Sequence, residues 1–134
     1  MRRLAISEAR VRQLVEASLR EMKIGDAMIS VAFVGRTAIS RLNHDYLRHS
    51  GPTDVISFGM GRETRGMPAI GDIYICPEIA MRNARRAGVS PANELARLVV
   101  HGTLHVAGLE HPDDESRTSS PMWQKQERIL VRSD

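Results

Sequence analysis

A single cysteine, Cys76, occurs in 134 residues, so no intramolecular disulfide framework can form and a reducing cytoplasm is the compartment to expect. Long apolar runs are missing too. None reaches the roughly 18 residues of a membrane span, and the apolar part of Met1-Arg2-Arg3-Leu4-Ala5-Ile6 is too brief for a signal peptide. A soluble, cytoplasmic protein with no membrane partner is expected. Aromatic residues are scarce, with two Phe, two Tyr and one Trp, which excludes an extended base-stacking platform of the usual single-strand-binding kind. Lysine is almost absent: two lysines and seventeen arginines give a formal charge of +3 and a pI near 9.6. Charge carried this way leans toward a polyanionic partner, and an arginine-biased genome gives the same count. No repeat, linker or low-complexity tract divides the chain, whose length suits one domain over residues 1–134.

What is present is a series of punctuated helices and three short strands. Val11, Leu14, Val15, Leu19 and Met22 recur at helical spacing over residues 7–23, with Ser7 to cap the start and Gly25 past the end. A first strand covers 28–34. Thr37 is the expected cap of a second helix whose buried stripe is Ile39, Leu42 and Tyr46, with His44 and His49 in surface or packing roles. Strands are predicted at 54–58, after Gly51-Pro52, and at 70–76. The intervening loop, Gly59 to Pro68, holds three glycines and two arginines and suits a flap beside a site or a plain surface hairpin. Pro77 opens a helix that Gly88 stops, and Arg82, Arg85 and Arg86 make it the densest basic cluster. Ser90-Pro91 and Ser120-Pro121 each give a cap followed by Pro. The first opens a helix with the apolar stripe Leu95, Leu98, Val99, Gly102 and Val106; the second opens one whose inward face is Met122, Gln126, Ile129 and Leu130. The order α-β-α-β-β-α-α-α predicts an α+β fold, a small mixed sheet covered by helices.

Three of the five histidines fall in His101-Gly102-Thr103-Leu104-His105-Val106-Ala107-Gly108-Leu109-Glu110-His111. A four-residue step on a helix is about 400° of rotation and about 6 Å of rise, so His101 and His105 project from one face and can bind one ion. His111 faces away if the helix continues. The chain must therefore stop and fold back, and Gly108 is the residue best able to take the left-handed conformation that does this. Three neutral imidazoles leave one position open on a four-coordinate ion, the arrangement of a catalytic rather than a closed structural zinc. Zinc is expected first, although nickel, copper or cobalt also suits such donors. Pro112-Asp113-Asp114-Glu115 adds an acidic turn that could orient a ligand or simply be solvated.

The spacing is that of the elongated zincin signature, with Gly102 where a metallopeptidase places its general-base glutamate. Without that carboxylate, peptide hydrolysis lacks its proton acceptor. His101-Gly102-x-Leu104-His105-x-x-Gly108-x-x-His111, with Pro52-Thr53-Asp54-Val55-Ile56-Ser57-Phe58 and Gly71-Asp72-Ile73-x-Ile75-Cys76, resembles the YbeY family of bacterial metal-dependent endoribonucleases and rRNA maturation factors. The first helix, the Leu42-Asn43 to Tyr46 segment and the closing Met122 helix extend the likeness over nearly the whole chain.

The resemblance implies a zincin-like metal helix in an α+β fold and one Zn²⁺ held by His101, His105 and His111. It implies single-stranded RNA as substrate, with work on the 3′ end of small-subunit rRNA and in ribosome quality control. Many members have arginine directly after the tyrosine that matches Tyr46; here Leu47 stands there and Arg48 follows, so Arg48 is the candidate catalytic arginine for the scissile phosphate. Thr53 and Ser57 are the candidate hydrogen-bond donors to RNA. Members often have Asp where this chain has Glu110, and Glu in the last helix where Gln126 stands. Two other readings stay open: a ribosome-assembly factor that binds RNA around a structural metal, and a zincin-like hydrolase of peptides or other small substrates.

Overall fold

The computed structural model describes residues 4–60, 66–110 and 118–133. Its elements follow the expected order: α1 (Glu8–Glu21), β1 (Ala27–Phe33), α2 (Arg36–Leu47), β2 (Val55–Gly59), β3 (Ala69–Ile75), α3 (Pro77–Ala87), α4 (Pro91–Val106) and α5 (Pro121–Arg132). Local chemistry sets most of the boundaries. Ser7, Ser90 and Ser120 each accept a hydrogen bond from the backbone N–H three residues on, which satisfies one of the unpaired donors of a first turn. Pro follows the cap in α4 and α5, where its fixed φ fits and its missing N–H costs nothing.

The sheet order is β1-β3-β2, with β1 parallel and β2 antiparallel to β3, so the sheet is mixed. Residue alternation gives it two unlike faces. Ala69, Ile73 and Ile75 of β3 join Val55 of β2 and Ile29, Val31 and Phe33 of β1 on the face that α4 covers. Ile56 and Phe58 face the other way, where they pack with Ile39 and Leu42 of α2, Cys76 and Ile79.

α4 is the axis of the molecule. It packs on β2 and β3 with one side and on α1, α3 and α5 with the others. Leu95, Val99, Val100 and Leu104 are almost wholly buried, each worth roughly 1.5–3 kcal/mol of burial. Two glycines let it come close. A Cβ on Gly102 would stand 2.7 Å from Cγ2 of Ile73, and one on Gly71 would stand 2.3 Å from the Phe58 carbonyl oxygen and 2.9 Å from both Val106 methyls. Helix and strand therefore meet at a separation that no side chain at either position permits.

Two expectations for α2 need correction. Its cap is Gly35, which offers no side-chain bond, and Thr37 lies inside the first turn. Tyr46 is 68 % exposed rather than buried, and the helix buries Asn43 instead, whose amide donates to the Gly51 carbonyl at 3.0 Å. A polar side chain won the inward place because it ties the helix to the loop that leads into β2.

Candidate metal centre

His101 and His105 lie one turn apart on α4, both half-buried, with ring centroids 4.7 Å apart and ring planes at 75°. An ion about 2.0–2.1 Å from one nitrogen of each ring would set the centroids roughly 4.5–5.5 Å apart, so the two donors fit a shared ion. Both occupy the last two turns of α4, where the negative end of the helix dipole favours a cation. Among the described residues no three metal-binding side chains converge. The third expected ligand, His111, lies outside the described residues, as do the acidic turn after it and residues 61–65 of the Gly59–Pro68 loop.

The helix ends as Gly108 requires. Gly108 has φ 107°, its N–H donates to the His105 carbonyl at 2.9 Å, and the Leu109 N–H donates to the Leu104 carbonyl at 3.0 Å. These are the two bonds of a Schellman turn, and Leu109 folds back against the core beside them. The chain thus reverses three residues past His105.

Gly102 gains a structural explanation. Its missing side chain is the space Ile73 occupies, so a glutamate at 102 would be driven into β3. The lack of a peptidase base there is a packing requirement of this fold.

One polar network was not anticipated from the sequence. Nδ1 of His101 lies 2.6 Å from Oε1 of Gln126, which is 1 % exposed. The Gln126 amide donates to Oε2 of Glu127 at 2.9 Å, and Arg97 grips Glu127 through Nε at 2.9 Å and Nη2 at 3.1 Å. Nη1 of Arg97 donates to Glu94 at 3.0 Å. The two carboxyls respond differently. Burial raises Glu94 above its ordinary value, and the one bond from Arg97 does not offset it. Burial would raise Glu127 too, but the bonds from Arg97 and Gln126 outweigh it and leave this carboxyl below its ordinary value. Arg97 is raised, chiefly by its hydrogen bond to Glu127. The signal was available in part: Glu94, Arg97, His101 and His105 fall at steps of three, four and four, a polar stripe on an otherwise buried helix.

The remaining candidates lie on or beside other elements. Ser57, half-buried, shares the α4-facing side of β2 with Val55 and Gly59. Thr53 precedes the strand and donates to Oδ1 of Asp54 at 3.3 Å, while Oδ2 of Asp54 accepts from Asn83 at 3.2 Å. Arg48 is exposed and caps the C-terminus of α2 in the left-handed region, at φ 57°. The Tyr46 ring, two residues earlier, meets Phe58 of β2 edge-on at 5.4 Å, which sets this end of α2 beside that strand. His44 and His49 are exposed, and His44 lies 3.1 Å from Asp45, in keeping with surface roles.

Comparison with known proteins supplies a context for this arrangement. A family model described as Endoribonuclease YbeY matches residues 3–134. The chain is 34 % identical over 133 residues to an Endoribonuclease YbeY of Geobacter sulfurreducens, covering 97 % of this chain and 89 % of the relative. It is 35 % identical over 138 residues to one from Beutenbergia cavernae, covering 96 % and 89 %. Among solved structures, a Thermotoga maritima protein determined in solution superposes with a TM-score of 0.62 at 29 % identity, covering 96 % of this chain and 84 % of that one. No described helix is long and apolar enough to cross a membrane.

Proposed function

This chain belongs to the YbeY family of endoribonucleases, and on that premise we propose a single-domain, zinc-dependent endoribonuclease over residues 1–134. It cuts single-stranded RNA in the cytoplasm. Its work is on ribosomal RNA, at the 3′ end of the small-subunit rRNA, and in ribosome quality control.

The observation that carries this reading is the imidazole pair on α4, 4.7 Å apart at a helix end that turns back through Gly108. His101, His105 and His111 would hold one Zn²⁺. Bound there, the ion supplies Lewis-acid stabilisation of negative charge developing on a phosphodiester. Arg48, exposed at the end of α2, supplies a guanidinium whose fork matches the scissile phosphate. Ser57 and Thr53 donate hydrogen bonds to the RNA, Thr53 by releasing Asp54.

The test is cleavage of structured and unstructured RNA by wild type and His101→Ala side by side, with metal content measured on both. Loss of about three orders of magnitude in rate together with the zinc is expected, since removing a ligand removes the main source of charge stabilisation. Unchanged cleavage by His101→Ala would defeat the proposal. End-group analysis of the products separates two nucleophiles, because a 2′,3′-cyclic phosphate marks attack by the RNA 2′-hydroxyl.

A further inference from the structure

Each hydrogen bond between Arg97 and His101 runs in a direction that the chemistry of the groups enforces. Arg97 can only donate. Its Nε and Nη2 reach the two oxygens of Glu127 at 2.9 and 3.1 Å, a bidentate pair that holds Glu127 ionised and accepting. The Gln126 amide meets Oε2 of that carboxylate at 2.9 Å, and only the NH₂ end can satisfy it. The amide therefore cannot be turned over, and its carbonyl oxygen is the atom 2.6 Å from Nδ1 of His101. A carbonyl oxygen accepts. Nδ1 must carry the hydrogen, and in the neutral ring the lone pair is then on Nε2.

We propose that Gln126 is a positioning residue that fixes His101 as its Nδ1–H tautomer and so offers Nε2 to the metal, with Arg97 and Glu127 fixing Gln126 in turn. This rests on the reading of His101 as a ligand. Histidine ligands are commonly oriented by a carboxylate, which also raises their basicity. Here the charge stands one residue further on, at Glu127, and is matched by Arg97. His101 thus meets a neutral acceptor, which orients the ring without drawing on its proton. The arrangement couples α5 to the ligand across a link of 25 residues in sequence, through side chains that are buried or half-buried throughout.

The tautomer is read directly from ¹⁵N chemical shifts of the histidine rings in the metal-free full-length chain at about pH 8, above the imidazole titration range. Wild-type His101 should be almost wholly Nδ1–H. Gln126→Met, similar in volume but without the acceptor, should move it toward the Nε2–H form. Zinc affinity, measured by competition with a chromophoric chelator, should fall about 10–100-fold. A predominant Nε2–H tautomer in wild type, or an unmoved tautomer in a folded Gln126→Met, overturns the positioning role. If Gln126→Met does not fold, Glu127→Gln carries the test: the amide of Gln126 is no longer held one way round, a mixture of tautomers is expected, and a pure Nδ1–H form overturns the proposal. Zinc affinity unaltered by His101→Ala instead sinks the ligand reading itself, so the two failures are distinguishable.

Discussion

α4 and α2 both carry residues assigned to chemistry, and they are built in opposite ways. α4 is capped by Ser90, closed by the Schellman turn at Gly108 and buried along ten of its residues. α2 starts at Gly35 without a side-chain cap, buries Ile39 and Asn43, and ends on left-handed Arg48. The contrast matches what each helix would have to hold under the proposed function. An ion fixes its ligands to within a few tenths of an ångström, which a packed helix supplies, whereas a phosphate on a strand that enters and leaves needs reach from an exposed end.

The sharpest way to break this contrast is to push α4 off the sheet. Gly71→Ala sets a methyl 2.9 Å from both Val106 methyls of α4 and against the Phe58 carbonyl oxygen of β2, where backbone cannot step aside as a side chain can, so the strand pair and its contact with α4 must both shift. A loss of about 3 kcal/mol in urea unfolding is expected. A loss below about 1 kcal/mol would show that the helix has slack and that its rigidity is overstated. Gly102→Ala, facing the softer Ile73 side chain, should cost less.

A smaller effect is expected from Arg97→Met, which strips the cation from Glu94 and Glu127. Breaking such a pair exposes buried charge, but Glu127 is one-third exposed, so about 2 kcal/mol is a reasonable size. The pH profile separates the two carboxyls. Glu127, depressed on folding, stabilises the protein above the ordinary carboxylate range, near 4.5, and that contribution fades as pH falls through its lower folded value. Glu94, raised on folding, does the reverse: its contribution is complete below 4.5 and is lost as pH rises through its higher folded value. Melting temperatures followed from about pH 3 to 7 should therefore rise more steeply with pH in Glu94→Gln than in wild type, and less steeply in Glu127→Gln. Parallel profiles would mean that neither group is shifted.

The smallest effect concerns α2. Arg48→Gly relieves a left-handed residue and should raise stability by about 1 kcal/mol while lowering RNA cleavage. Undiminished cleavage by a folded Arg48→Gly would remove Arg48 from the phosphate. Lys23 has the same φ of 57° at the end of α1, so the strained conformation is not in itself a sign of function.

The elements were legible because their signals are local. Ser7, Ser90 and Ser120 cap where their neighbours place them, Gly88 and Gly108 take positive φ where the apolar stripes end, and Met122, Gln126, Ile129 and Leu130 are all buried on α5. The juxtaposition of His101 and His105 was legible for the same reason, since its spacing lies within one helix. The network behind His101 was not, because Arg97 and Glu127 meet across 30 residues and no spacing within α4 announces α5. Tyr46 misled because its helical spacing with Ile39 and Leu42 could not reveal where the covered part of the sheet ends.

The meeting of Gly71 with Val106 and of Gly102 with Ile73 also bears on temperature. A core contact made by side chains loosens as those side chains sample other rotamers. Here one partner on each side has no rotamer to sample, so warming adds fewer new states at that junction than at one between two side chains. His101 and His105 stand on either side of Gly102, and the sheet beneath them is held by a contact that carries little entropy to gain. The pair should keep its spacing up to the temperature at which the fold itself gives way.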